Sequence, residues 1–500
     1  MGDLIYDVGI GILVVFVLAG AIPLVAGCWQ YALIGVHGFR NHLDKVEDFT
    51  PDTAVIVPAW NEAAVIGDTV DRLMSLDYPD DALRVYVVDD ASDDGTPEIL
   101  QAKVAEYPGQ VFHLRRENGG QGKAHTLNHG LEVILGDVWA DAVLIIDADV
   151  IFERNALRKM TRHLADPEIG AVTAYIKEGS EKANYLKRFI GFEYITAQAA
   201  ARRTQNVLGA MACLAGGAQL HSRISIDAIG GRIDTSTLAE DTITTFLTQL
   251  EGRRAIFEGN ATVWAEEPGD IGGLWKQRLR WARGNVQVNK RFRKVFLNRK
   301  VGGRLGGISF SLFWFSTFLM PVFMITSSAA LVTLFVVDYG YSLDVFRALW
   351  MINAVTYVVV TAFTLMLDPE TARRAWLQGI LFPGLVAVLI IIATCYPPLF
   401  ETYLPDLASD AGIPLSHTAE QAFVLFAYLW LTLSMIVAWL AKLFETKKLL
   451  RWLSPVCLYV AGYGPLLSAI TFSAYIKEIQ GAEAKWDKTE KSGQISAAAR

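Results

Sequence analysis

Five short stretches carry side chains whose types and spacing suit chemistry on a diphosphate. Asp147-Ala148-Asp149 ends the apolar run Val143-Leu144-Ile145-Ile146. Two carboxylates one residue apart at a strand exit can share a hard divalent cation that also binds a diphosphate, although a solvated turn accounts for such a tripeptide about as well. Asp89-Asp90 precede Asp93-Asp94-Gly95, so capping a helix or turn competes with ligand binding there. Gly119-Gly120-Gln121-Gly122-Lys123 resembles a phosphate-cradling loop, with glycines that let backbone N–H groups approach an anion and a lysine that adds a point charge. It lacks the Walker A spacing, and a plain turn is its equal contender. Glu240-Asp241 beyond Gly230-Gly231 reads either as an exposed helix start or as a catalytic carboxylate pair. The run Gln277-Arg278-Leu279-Arg280-Trp281 joins cations suited to a diphosphate with an indole face suited to a sugar ring. A basic juxtamembrane helix with an interfacial tryptophan is its bland counterpart.

The elements that must position these residues alternate between strand and helix. Short β-rich runs at Thr53 to Val57, Arg84 to Val88, Val111 to Leu114, Ala142 to Ile146 and Ala171 to Thr173 are separated by helix-length segments. That rhythm predicts a largely parallel sheet with covered faces, in which ligands bind at the carboxyl ends of the strands. The polar stretches do fall at those ends: Pro58 to Glu62, Asp89 to Ser92, and Asp147 to Asp149.

Around this polar middle the chain is apolar. Of its 500 residues 52% are hydrophobic and 19% charged, which excludes a disordered chain. The net charge of −7 leaves no global positive field for a nucleic-acid backbone, so no nucleic-acid partner is expected. Cys28, Cys213, Cys395 and Cys457 form no CxxC or Cys/His cluster, which predicts neither a disulfide framework nor a zinc site. Runs of roughly 20 apolar residues, long enough to cross a bilayer, occur at Val8 to Val36, near Ile308 to Val337, and at Ala348 to Leu367, Trp376 to Pro397, Ala422 to Leu440 and Trp452 to Phe472. Asp3 and Asp7 precede the first run, which therefore reads as a retained anchor and not as a signal peptide. Lys290, Arg291, Arg293, Lys294, Arg299, Lys300 and Arg304 before the second run place the polar middle in the cytoplasm by the positive-inside rule. Five further spans then put the tail outside, whereas Lys477, Lys485, Lys488 and Lys491 favour the inside. A span broken at Gly462 to Pro465, or in the Ile308 run, removes that conflict; so does an external tail.

Taken in order, the DD pair, the DxD, the ED and the QxxRW resemble the membrane-integrated processive family 2 glycosyltransferases over roughly Thr53 to Gln287. Gly273 to Ala282 looks most similar to bacterial poly-N-acetylglucosamine synthases, and Lys485-Trp486-Asp487-Lys488-Thr489 resembles a pattern near the end of such enzymes. The resemblance implies an α/β GT-A glycosyltransferase domain inserted between α-helical transmembrane segments of an inner or plasma membrane. It divides the chain into an anchor (1–45), a cytoplasmic catalytic domain (46–270), interfacial amphipathic helices with QxxRW (271–305), transmembrane helices forming a polysaccharide channel (306–475) and a polar tail (476–500). Glu62 and Asp90 would contact the nucleoside of a UDP-sugar, Asp89 would belong to the same nucleotide-sugar site, and Lys123 would support the nucleotide. Asp149, with Asp147, would hold Mg2+ or Mn2+ on the diphosphate. In the Glu240-Asp241 catalytic pair Asp241 would be the general base, Gln277 and Arg280 would steady the departing diphosphate, and Trp281 would stack on the acceptor sugar.

The implied reaction is inverting, processive polymerisation of a UDP-sugar, with UDP-N-acetylglucosamine the first candidate. The implied partners are the UDP-sugar donor, the growing polysaccharide and the lipid bilayer, and an accessory subunit or homo-oligomer is compatible with the plan. Departures narrow the product. Ala239-Glu240-Asp241-Thr242 differs from the GDDR or GEDR of hyaluronan and chitin synthases, and no FxVTR loop of cellulose synthases occurs between Asn298 and Arg500. Ala265-Glu266-Glu267-Pro268-Gly269 is an acidic variant of the stretch before QxxRW. A β-glucan synthase using UDP-glucose and a single-sugar transferase to a polyprenyl or other lipid remain the alternatives. A transporter without catalysis leaves the aspartates and the polar insert unexplained, and no repeat symmetry between span groups is seen.

Overall fold

The computed structural model describes residues 2–39, 46–410, 416–447 and 450–483; the tail pattern at Lys485 to Thr489 lies outside them. The chain forms two compact units. One comprises Leu33–Gly269, Arg283–Ser311 and Ala482–Arg500; the other Met1–Ala32, Asp270–Ala282 and Leu312–Gly481.

The first unit is built on an eight-stranded sheet: β1 (Thr53–Ala59), β2 (Leu83–Asp89), β3 (Val111–Arg115), β4 (Ala142–Ile145), β5 (Val150–Phe152), β6 (Ile169–Glu178), β7 (Gln219–Ser222) and β8 (Arg254–Ala265), in the order β3-β2-β1-β4-β7-β6-β8-β5. Strands β3, β2, β1 and β4 run parallel, as the βα rhythm predicts. Their Val- and Ile-rich runs are buried because helices cover both faces of such a sheet. On one face Ile56, Val88, Val143 and Ile145 pack against Leu127, Leu131 and Ile134 of helix Lys123–Gly136.

The other half corrects the expectation of a largely parallel sheet. Strand β7 is antiparallel to both β4 and β6, β8 is parallel to β6, and β5 is antiparallel to β8. Antiparallel insertion has a geometric consequence: the start of β7 lies at the edge where β4 ends, with Gln219 opposite Ile145. Likewise the start of β5 lies where β8 ends, with Val150 opposite Ala265. Residues preceding β5 and β7 therefore share one edge with residues following β1, β2, β4, β6 and β8. The segment from Tyr185 to Arg203, with its mixed apolar and basic composition, reads as a membrane-surface helix in sequence. Here it forms helical turns, including a π-helical stretch Ile195–Ala200, whose buried Leu186, Phe189 and Ile195 belong to elements packed on β6.

The second unit is helical. By length and composition four helices among the described residues can cross a membrane: Leu4–Phe39, Met320–Val337, Tyr339–Leu367 and His417–Thr446. Two bent pairs, Pro369–Ile380 with Leu385–Cys395 and Leu453–Ala461 with Tyr463–Ile479, raise this to six if each is one span. The apolar run from Ile308 to Val337 is not one helix: Ile308–Phe318 stops before Met320–Val337, whose second residue, Pro321, suits a helix start and not an interior. Both bends sit at a left-handed glycine, Gly384 (φ +93) and Gly462 (φ +101). A Cβ on either would come within 2.4 Å of the other bend's backbone, so no other residue fits this crossing. Phe382 C=O accepts from Tyr463 N–H at 2.9 Å, satisfying one donor freed by the break.

Candidate active site

The carboxyl edge of the sheet gathers the acidic motifs, and the two aspartate pairs on it have different fates. Asp89, last residue of β2, is completely buried. Its carboxylate accepts from Ser92 N–H at 2.8 Å and Arg115 Nη1 at 2.6 Å, and His113 Nε2 stands at 3.4 Å. Burial pushes its pKa up, but hydrogen bonds from His113 and Ser92 and the charge of Arg115 outweigh it and hold the acid below its ordinary value. Asp90 accepts from Arg116 and, at 2.8 Å, from Gly120 N–H, so it fastens the glycine-rich loop that precedes Lys123. The exits of β1 and β2 are laced together as well. Asn61, in the left-handed region, donates through Nδ2 to Asp93 at 2.7 Å and accepts from Asp93 N–H at 3.0 Å, and Glu62 N–H donates to Thr96 at 2.9 Å.

Asp147, two residues beyond β4, is more open, with its side chain 39% exposed. Its Oδ1 accepts from Lys123 Nζ at 2.5 Å, and the same ammonium donates to the Gly216 carbonyl at 3.0 Å. Burial lowers the Lys123 pKa, but Asp147, Glu240 and Asp241 together raise it above the ordinary lysine value. Gly216-Gly217 lead into β7 and so face Asp147 across the edge. A Cβ on Gly217 would lie 3.3 Å from Asp147 Oδ2 and 3.0 Å from Val150 Cγ2. A Cβ on Gly216 would lie 3.2 Å from Asp241 Oδ2 and 3.6 Å from Lys123 Nζ. The bare backbone of this pair thus lets the DxD, Lys123 and Asp241 converge.

Asp241 occupies the first turn of helix Glu240–Leu250, where the partial positive end of the helix favours a carboxylate. Thr242 N–H donates to its Oδ1 at 2.7 Å, leaving Oδ2 toward Gly216. The Cys213 thiol, pushed well up by burial and by Asp241, stays protonated beside it, and the buried Arg202 feels the charge of the same carboxylate. Asp149 is 8% exposed and precedes β5, so the β5/β8 register carries it toward Glu266. Glu266 and Glu267 are buried. Lys187 Nζ lies 3.7 Å from Glu266, and the Tyr194 hydroxyl donates to Glu267. Burial raises the nearby Glu178, and Glu267 adds to that rise.

Gln277, Arg280 and Trp281 lie on helix Ile271–Arg291, in the part that belongs to the helical unit. Arg278, and not Arg280, stacks on the Trp281 ring at 4.1 Å and donates to Gln277 Oε1 at 2.6 Å, while Trp281 is 40% exposed. Sequence reasoning missed Gly216-Gly217, Arg115 and Arg116, and it named Arg278 only as a cation of the QxxRW run, not as the residue on Trp281. Only the Gly-Gly step carried a local signal, and its neighbour Asp147 is supplied by strand pairing.

Asp147 and Asp149 offer hard oxygen donors suited to Mg2+ or Mn2+, with one partly open carboxylate. Among the described residues no three His, Cys, Asp or Glu side chains form a ready cage, so a cation here would complete its shell from a diphosphate.

Residues 51–284 match the family described as Glycosyltransferase like family 2. Over 254 residues, 50% of this chain, the protein is 30% identical to Poly-beta-1,6-N-acetyl-D-glucosamine synthase of Staphylococcus aureus (strain COL), spanning 59% of that relative. It is 34% identical over 238 residues to Beta-monoglucosyldiacylglycerol synthase of Synechocystis sp., covering 47% of this chain and 48% of the relative. Probable glycosyltransferase YdaM of Bacillus subtilis (strain 168) is 29% identical over 386 residues, 75% of this chain and 88% of the relative.

Proposed function

We propose, on the premise that residues 51–284 are a family 2 glycosyltransferase domain with a GT-A-like fold, that this enzyme elongates a β-linked polysaccharide from a UDP-sugar and passes it through its own apolar helices. UDP-N-acetylglucosamine is the donor best supported, by the name of the staphylococcal relative. The observation that carries the reading is the convergence of Asp147, Lys123 and Asp241 around Gly216-Gly217. It sets a diphosphate-side carboxylate and cation next to a separate carboxylate free to act as base. Glu62, Asp90 and the loop at Gly120 would line the nucleoside side, with Asp89 holding that wall in place. Asp241 Oδ2 would take the proton of an acceptor hydroxyl as its oxygen attacks the anomeric carbon. The bond from that carbon to the diphosphate breaks on the opposite face, and UDP leaves with the electron pair, so an α-linked donor gives a β-linkage. Asp147 and Asp149 would hold Mg2+ or Mn2+, which would supply stabilisation of the charge that grows on the departing diphosphate. Gln277, Arg280 and the exposed face of Trp281 would serve leaving group and acceptor. The basic stretch from Lys290 to Arg304 supports a cytoplasmic catalytic unit by the positive-inside rule.

The cyanobacterial relative's name favours a second reading, one sugar transferred to a lipid acceptor. Radiolabelled UDP-sugars given to purified protein in lipid vesicles with Mg2+ or Mn2+ separate the two. Long, glycosidase-sensitive polymer from UDP-N-acetylglucosamine supports the synthase, and polymer from UDP-glucose makes it a β-glucan synthase. Label confined to a short lipid-extractable species replaces it with the lipid transferase. In the same assay Asp241→Asn loses transfer by about 10²–10⁴-fold while UDP still binds; full activity would remove Asp241 as the base.

A further inference from the structure

Lys123 occupies an unusual position among the carboxylates. Its ammonium bridges Asp147 Oδ1 at 2.5 Å and the Gly216 carbonyl at 3.0 Å, and its side chain is 12% exposed. The point 3.6 Å from its Nζ, where a Gly216 Cβ would stand, is 3.2 Å from Asp241 Oδ2. One lysine therefore faces both the DxD and the base. A lysine devoted to holding phosphate has no need to pair with the metal-side carboxylate. One that does so places a unit positive charge where a divalent cation must approach Asp147.

We infer that Lys123 is a built-in counter-ion of Asp147 that competes with the divalent cation, so that metal and nucleotide load together and the metal alone binds weakly. The inference rests on the donor-site reading above. Three features carry it: the ion pair through Oδ1, the carbonyl that fixes the ammonium from its other side, and the lack of a complete ligand cage among the described residues. A diphosphate arriving with the cation offers oxygens to both partners. It completes the metal's shell and gives the ammonium an anion in exchange for Asp147. Without the diphosphate the cation must displace the lysine from Asp147 and remain beside its positive charge, which repels it.

The test measures Mn2+ binding to the full-length protein in detergent by the loss of the free-ion electron paramagnetic resonance signal, with and without UDP. In the wild type UDP tightens Mn2+ binding strongly. In Lys123→Met, Mn2+ alone binds on the order of tenfold tighter than to the wild type, and UDP adds less. Lys123→Arg, which keeps the charge, stays close to the wild type, and Lys123→Met with Asp147→Asn loses the gain. Lys123→Gln serves should the Met variant fail to fold, as judged by its thermal unfolding. Unchanged or weaker Mn2+ binding in the uncharged variants, with Mn2+ and UDP still binding the wild type together, overturns the inference and leaves the donor site standing. A wild type that binds neither UDP nor Mn2+ overturns the donor-site reading itself and this inference with it.

Discussion

Two aspartate pairs leave neighbouring strands of the same sheet edge, and the protein uses them in opposite ways. Asp89 and Asp90, at the end of β2, are buried, and Ser92, Arg115, Arg116 and Gly120 bind their carboxylates. Asp147, beyond β4, keeps a 39% exposed side chain that pairs with the Lys123 ammonium. The difference shows that a carboxylate at a strand exit becomes architecture when cations from the adjacent strand can reach it. β3 brings Arg115 and Arg116 to Asp89 and Asp90, whereas the approach to β7 brings Gly216-Gly217 to Asp147. The wall at Asp89 and Asp90 is therefore preorganised, and the Asp147 side is left adjustable.

Breaking the first pair should have the largest effect. Asp89→Ala leaves Arg115 and the Ser92 N–H without their buried acceptor and costs about 1.5–3 kcal/mol of stability. It is read as a lowered unfolding temperature and loss of UDP binding together. A variant that folds as the wild type and loses only UDP would make Asp89 a ligand group. Asp147→Asn should do the reverse, keeping the unfolding temperature while transfer falls about 10²–10³-fold, as when one preorganised charge contact in the transition state is removed. Equal thermal destabilisation in both variants would erase the contrast.

Acid sharpens the comparison further. Asp89 is held below the ordinary aspartate value, so in a given acidic buffer the unfolded chain binds more protons than the folded one. Its contribution is fully present above the unfolded pKa, about 4, and is lost as pH falls from there through the folded value. Glu258, depressed by His163 and Arg162 against the opposing effect of burial, acts in the same sense. Thermal unfolding of the wild type from pH 6 to 3 should fall below about pH 4, and Asp89→Asn should flatten that fall. The smallest effect belongs to the helical unit. Trp281→Ala should slow elongation by about tenfold or less, in keeping with a partly exposed ring worth ~1 kcal/mol, and leave UDP-sugar hydrolysis unchanged. Equal loss in both activities would argue against acceptor stacking.

The parallel half of the sheet was legible because β1, β2, β3 and β4 are short Val/Ile-rich runs ending in polar residues, a pattern local in sequence. Strands β5, β7 and β8 were not. β5 is three residues long, β7 reads Gln-Leu-His-Ser, and β8 carries Glu258-Gly259-Asn260 at an irregularity in its pairing with β6. The kink at Gly462 was legible from Gly and Pro in an apolar run. That it interlocks with Gly384 was not, since nothing local links bends 78 residues apart (462 − 384).

By itself the sequence determined which residue types were available for chemistry, that they sit at strand exits, and which stretches are long and apolar enough for a bilayer. Those properties follow from side-chain chemistry and short-range periodicity. Tertiary structure alone decided which aspartates are architectural and which lysine guards the DxD. It also decided that Gly216-Gly217 form the floor between Asp147 and Asp241, and that Arg278 is the residue on Trp281. The physical reason is the antiparallel entry of β7. A strand pairing that joins Ile145 to Gln219 and Ala142 to Ser222, 74 to 80 residues apart (219 − 145, 222 − 142), sets side chains beside one another that no local pattern couples.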